Sequence, residues 1–423
     1  MRTGRGALAL LGALLLAAAA ATAAAPAATL DAAAASSPVR RVLFVGNNWD
    51  GTADVVTPRP PLRRLARINV IPDKEQRMAE IYSNPDRLAF FLAIREFVGE
   101  GHDQYVDDMY TTRDGRLLVV SRPSFADVVG IRISTGDIVW RFQVDGYRSD
   151  HMAVSPDGRH VAVSASTGNV VHVLDIGTGE EVGRFPSGDS PHENVYIRGG
   201  ERIVHASIGR VYTPTDQPAM DSTKGERYFQ IVDADDNRVL RRIDMGQKLD
   251  RAGYPDMSSA VRPMTFSPHE RFVYFQVSFF HGFVEYDLRH HRVRRVVRLP
   301  IADHVEDMPR EQYLLDSAHH GIAMNPEGDR ICVAGTMSDY ATIVSRRTTR
   351  HQGLVRGGKK PYWATPSGDG RHCFVSWSGT DSVSAISYDT GRQVDRLRVG
   401  DHPQRMRLGF VRRAWVQSRS VSP

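Results

Sequence analysis

The sequence predicts an all-β fold, a seven-bladed β-propeller, and three observations carry that prediction. A short unit recurs about every 42 residues, marked by the turn glycines Gly115, Gly158, Gly200, Gly328 and Gly370. Each unit reads as four short strands, as in 151–154, 161–165, 169–175 and 181–185. The chain also opens with three strands that lack a partner and ends with one. Together these four make a last blade, closed by N- and C-terminal strands, which removes two exposed sheet edges.

The elements follow in order. Residues 1–30 carry Arg2 and Arg5, an apolar stretch over 7–16 and an Ala-rich run to residue 28. That order reads as a secretory signal peptide, with an uncleaved anchor as the alternative. Residues 31–40 read as a linker. The expectation is an exported protein, secreted or periplasmic, with no membrane contact beyond the leader. A formal charge of +5, two of it from the leader arginines, is too weak to argue for a nucleic-acid partner.

Residues 41–46, 52–56 and 65–70 are the three unpartnered strands. A helical insertion is expected over 78–100. There Pro85 and Asp86 open a stretch with Leu88, Phe91, Leu92 and Phe97 near helical spacing. From Asp107 onward six complete four-stranded units follow. One of them turns at Ser267-Pro-His-Glu270 instead of at a glycine. Insertions at 213–227 and 301–318 interrupt consecutive units. They should overhang one sector of the ring, and proteases should cut at least one of them before any blade core. The lone strand 405–411 ends the propeller (41–411), and 412–423 reads as a tail.

Cys332 and Cys373 fall on matching strands of neighbouring units, on opposite faces of those strands. Such faces either look at each other across the blade interface or point away. Two buried, unpaired thiols are the simpler expectation, and a disulfide is the alternative that export would permit.

The stretch Ser155-Pro-Asp-Gly-Arg-His-Val-Ala-Val163, with Val171-His-Val-Leu-Asp-Ile-Gly-Thr-Gly179, resembles the YVTN or YncE-like propellers. That superfamily is similar to the quinoprotein amine dehydrogenase heavy chain. The resemblance covers 41–411 and implies the propeller fold. It implies no single activity, because the family spans binding proteins, lactonases and redox-enzyme subunits.

The candidate site comes from blade register. The first strand of each blade lines the central channel, so its opening residues should gather at one mouth. These pairs are Asp107-Asp108, Asp150-His151, His192-Glu193, Arg262-Pro263, His320-Gly321, Tyr362-Trp363 and Gln404-Arg405. Ordinary repeats would place small or apolar residues there. His192, His320, Asp150, His151 and Glu193 suit general acid–base work near neutral pH. Arg262 and Arg405 suit a carboxylate or phosphate, Tyr362 and Trp363 suit stacking, and Asp107, Asp108 and Gln404 complete a polar ring. His151, His192, Glu193, His319 and His320 exceed the three or four ligands that a catalytic metal needs. The cofactor is left unspecified, with a divalent metal as the one the residues favour.

Three function classes follow. The first is an exported propeller binding a small polar or anionic ligand at the channel mouth. The second is a lyase, lactonase or other hydrolase using the same ring, with or without a metal. The third is a protein-interaction scaffold using the insertions. Protein kinase activity is excluded, since Gly-rich nucleotide loop, His-Arg-Asp and Asp-Phe-Gly motifs are all missing from the sequence.

Overall fold

Turn chemistry builds each blade. In the computed structural model, which describes residues 37–419, Gly158 sits at φ +72° and donates its N–H to Ser155 O (2.8 Å). Ser155 N–H donates in turn to His160 O (2.9 Å), which starts the hairpin ladder. Gly370 repeats this with φ +70°. In the fourth blade Glu270 takes the glycine's place at φ +52°, and its N–H donates to Ser267 O at 2.7 Å. A residue with a Cβ pays strain in that region, so the sequence signal was weaker there.

Seven small antiparallel sheets form the ring. Blade 1 runs from Met109 to Gln143, blade 2 from Ser149 to Pro186 and blade 3 from Pro191 to Ile243. Blade 4 runs from Val261 to Arg298, blade 5 from Ile322 to Ser345 and blade 6 from Pro361 to Arg398. Blade 7 joins the strand Pro403–Arg412 to Val39–Asn47, with Leu43 opposite Leu408. Thr52–Val56 and Arg64–Asn69 complete it.

Four expectations are corrected or refined. Blade 5 has only three regular strands, and its outer edge is reduced to bridges at Ala341–Val355 and Val344–His351. Thr349 and Gly353 both have positive φ there, which breaks the extended run. The expected tail instead holds the helix Arg413–Arg419, with Trp415 and Val416 buried in the core beside blade 7. The expected helical insertion is present, as two helices, Lys74–Tyr82 and Pro85–Phe97. The second is capped by Asn84, whose side chain accepts from Arg87 N–H at 3.0 Å.

The fourth correction concerns the cysteines. Cys332 and Cys373 form a disulfide between blades 5 and 6, with Cα atoms 6.3 Å apart. Their strands sit in neighbouring blades, so opposite faces look at each other across the interface. The leader 1–30 and most of the linker lie outside the described residues, as do residues 420–423. Among the described residues no helix is long and apolar enough to cross a membrane.

The insertions are not loose. Thr213 Oγ1 donates to Asp316 Oδ1 at 2.8 Å, joining one insertion to the other. Lys224, 1% exposed, is paired with Asp216 and Asp316 and lies over the Phe279 ring. Arg310 reaches Asp221 at 2.7 and 3.0 Å. The two segments therefore form one ion-paired layer above blades 3 to 5.

Candidate metal and anion site in the channel

A β-strand turns successive side chains to opposite faces, so strict alternation would send one residue of each pair away from the channel. The inner strands avoid this by irregular register at the site. Pairing shifts between Ser149 and Met152, between Pro191 and Glu193, between Val261 and Met264, and between Pro361 and Trp363. A bulge re-aims side chains and frees both members of a pair to face inward. In blades 1 and 5 the site residues lie just before the inner strand, which starts at Met109 or Ile322. Gly321 is required by close approach, since a Cβ there would lie 3.0 Å from the Trp363 backbone.

The ring closes on a cavity of about 240 Å³. Asp107, Asp150, His151, His192, Arg262 and His320 line it, with Tyr362 and Gln404. It is not an open mouth, because every one of these side chains is buried. Ile94 of the helix Pro85–Phe97 and Val98 at its C-cap roof it, together with Val211, just before the first insertion, and Leu315 of the second. Leu315 also lines a larger outer cleft of about 760 Å³, so one side chain bounds both spaces.

Three histidines converge. The ring centroids of His151 and His192 are 3.7 Å apart, and His320 lies 6.1 and 5.8 Å from them. One ligand nitrogen from each lies within 4.8 Å of the others. Asp107, Asp150 and His151 make a second, overlapping group of the same kind. His151 Nδ1 is 2.8 Å from Glu193 Oε2, and its Nε2 is 3.5 Å from Asp150 Oδ1. Nδ1 of His192 and Nδ1 of His320 are buried without a hydrogen-bond partner.

Electrostatics sharpen the picture. Burial holds His151, His192 and His320 well below the usual imidazole range, with Arg405 and Arg262 adding to the effect. The three rings are therefore neutral at pH 7, the form that coordinates a cation. Burial pushes Glu193 up to about 7 against the pull of Arg405 and Arg407. Burial also raises Asp107, although Arg405 opposes the shift.

The arginines divide their work. Arg262 donates from Nε to Ser278 Oγ (3.1 Å) and from Nη2 to Leu315 O (2.5 Å), tying the roof to the ring. Arg405 is fully buried over the Trp363 ring (4.1 Å) and donates from Nε to Asp107 Oδ2 at 3.2 Å. Its Nη1 and Nη2 have no partner. A buried guanidinium with both ends unsatisfied is costly unless an oxyanion meets it.

Five expected residues do not line this cavity: His319, Asp108 and Trp363, and also Glu193 and Arg405, which reach it only through His151 and Asp107. His319 turns out of the channel, with Nε2 3.4 Å from Tyr340 Oη and its ring edge-on to His281, so it leaves the metal set. Adjacent residues leave the backbone in different directions, and His320 is the one that faces the cavity. Asp108 is structural. It accepts from Arg407 at 2.8 and 2.7 Å and from the Met152 N–H at 3.1 Å, joining blades 1, 2 and 7. Trp363 lies one layer down, where it lines a second cavity of about 370 Å³ with Glu193 and Arg407.

Other members of the site were not foreseen. Arg148 holds Asp150 Oδ2 at 2.5 Å from just before the inner strand, outside the register that was counted. Arg407 lies two residues beyond Arg405, and period-2 alternation could have found it. The roof residues carry no repeat signal at all. No family model matches this chain, and no curated protein matches it.

Neutral imidazoles with a nearby carboxylate suit a divalent transition metal. The unsatisfied nitrogens of His192 and His320 fit the same reading, since a bound ion would give buried polar atoms a partner.

Proposed function

We propose that this protein is an exported YVTN or YncE-like propeller that binds a small anionic molecule at a three-histidine metal centre. His151, His192 and His320 hold the divalent metal, and Arg405 with Arg262 takes the anion. The convergence of three buried, neutral histidines within ligand distance is the observation that carries the reading. The two unpaired Arg405 nitrogens support the anion. The Cys332–Cys373 disulfide supports export, because such bonds persist in oxidising compartments.

A bound metal would polarise a ligand oxygen and lower the pKa of a coordinated water. The chain's own residues do the rest. Glu193 orients His151, the roof excludes bulk water, and Arg405 fixes an oxyanion beside the histidines. Calorimetry of zinc-loaded protein with oxalate and with inorganic phosphate tests the anion. Binding of either probe that weakens at least tenfold in Arg405→Gln supports the reading. Failure of both probes to bind, or unchanged affinity in the variant, contradicts it.

One observation favours a second reading, a metal-dependent lyase or hydrolase. Glu193 near pH 7 sits in both proton states at neutral pH, against a metal-ligand histidine. Turnover of an ester, lactone or uronate substrate that is lost in His192→Ala would establish it.

A further inference from the structure

A second site lies far from the channel histidines. The inner strand of blade 3 starts beside His192 and ends at Ile197, so its two ends lie at opposite faces of the ring. At the far end, a groove of about 780 Å³ runs between blades 3 and 4. Its floor is apolar, from Ile197, Ile231, Leu240 and Leu288. Its walls are arginines.

Five arginines line the groove, and two are already neutralised. Arg202 pairs with Asp233 at 2.9 Å and Arg271 with Asp287 at 3.0 Å. The guanidinium groups of Arg198, Arg241 and Arg289 make no hydrogen bond or ion pair among the described residues. One carboxylate lines the groove, that of Glu270, and its Oε2 accepts from the Arg198 N–H at 2.6 Å. His291 feels the resulting field: burial, then Arg241 and Lys248, hold it below its ordinary range. Arg198 and Glu270 both sit at positive φ, so the turns that present these groups are fixed by the fold.

A solvated surface disperses like charges among acids. Here three unpaired guanidiniums line one apolar floor, with Glu270 as the one carboxylate beside them. Each can take an oxyanion by two parallel hydrogen bonds. The volume is that of a small-molecule pocket, and the floor asks for an apolar or ring body.

We infer that this groove binds a small molecule carrying two or more phosphate, sulfate or carboxylate groups on an apolar or ring-shaped body. The site is independent of the channel, so its success or failure leaves the metal reading untouched.

The test uses full-length protein and two probes at low salt, inorganic tripolyphosphate and 1,5-naphthalenedisulfonate. The disulfonate should bind with Kd below about 100 μM, and affinity should fall as salt rises. The triple variant Arg198→Ser, Arg241→Ser, Arg289→Ser should weaken it at least tenfold with an unchanged melting temperature, since these side chains are exposed. His192→Ala should bind the disulfonate as the wild type does. If tripolyphosphate binds and the disulfonate does not, the apolar floor plays no part and the inference is overturned. It is equally overturned if neither probe binds, or if the triple variant binds as well as the wild type.

Discussion

His151 Nδ1 and Glu193 Oε2 lie 2.8 Å apart, both buried, on the inner strands of neighbouring blades. This contact orders the cavity. A carboxylate on one imidazole nitrogen fixes the tautomer and turns the other nitrogen toward a metal. Here Nε2 is left beside Asp150.

Removing that partner should loosen the metal without unfolding the blades. Glu193→Ala should lower metal affinity about 10- to 100-fold. Glu193→Gln keeps a hydrogen-bond acceptor and should recover part of the loss. Competition with a zinc chelator measures both variants. Equal affinity in all three proteins would show that Glu193 does not position His151.

The inter-blade disulfide closes a loop with a sequence separation of 41. Restricting an unfolded chain over that length is worth about 3–4 kcal/mol in the loop-entropy description. Cys332→Ser with Cys373→Ser should therefore melt several degrees below the wild type. Reductant should lower the wild type toward the same temperature. A double variant as stable as the oxidised protein would mean that blade packing alone holds blades 5 and 6 together.

Buried histidines away from the channel predict acid sensitivity. His205 and His402 are held down to about 3, chiefly by burial. Unfolded imidazole titrates near 6.5, so between those values the unfolded chain binds a proton that the folded chain refuses. Stability should fall as pH drops below about 6.5, by up to about 1.4 kcal/mol per pH unit for each histidine. Glu193 acts in the opposite sense between 4.5 and about 7, because its folded carboxyl holds a proton more tightly. Comparing the pH slope of wild type with His205→Gln isolates one histidine. The slope should flatten, and an unchanged slope would mean that His205 is protonated in the fold.

The ion-paired layer over blades 3 to 5 should resist proteolysis, contrary to what its irregular sequence suggests. Lys224→Ala takes the buried cation from Asp316 and leaves Asp216 with Arg310 alone at 3.0 Å, a loss of about 3 kcal/mol. Limited proteinase K digestion should cut residues 213–227 in that variant well before the wild type. Rapid cleavage of the wild type there would show that the layer opens on its own.

Much of this molecule was legible because its signals are local. A Ser-x-Asp-Gly turn needs its last glycine at positive φ, so Gly158 and Gly370 mark their blades. Counting back from those turns placed His151, His192 and His320 together, because blade geometry repeats. The count stopped short where contacts are set by tertiary structure. It could not separate His319 from His320, or free Asp108 from paired Asp108, because those differences depend on Tyr340 and Arg407. Nor could it see a roof, since Ile94, Val211 and Leu315 come from three irregular segments with no shared period. The cysteines were ambiguous because both faces of a propeller strand are buried.

Metal analysis of purified full-length protein tests the central claim most directly. Wild-type protein, loaded with zinc, manganese, iron or copper and then desalted, should retain about one equivalent of at least one of them by mass spectrometry. His192→Ala and His320→Ala should each retain little or none while melting close to the wild type. A wild-type protein that keeps none of these metals, or histidine variants that keep a full equivalent, would contradict a three-histidine metal centre in the channel.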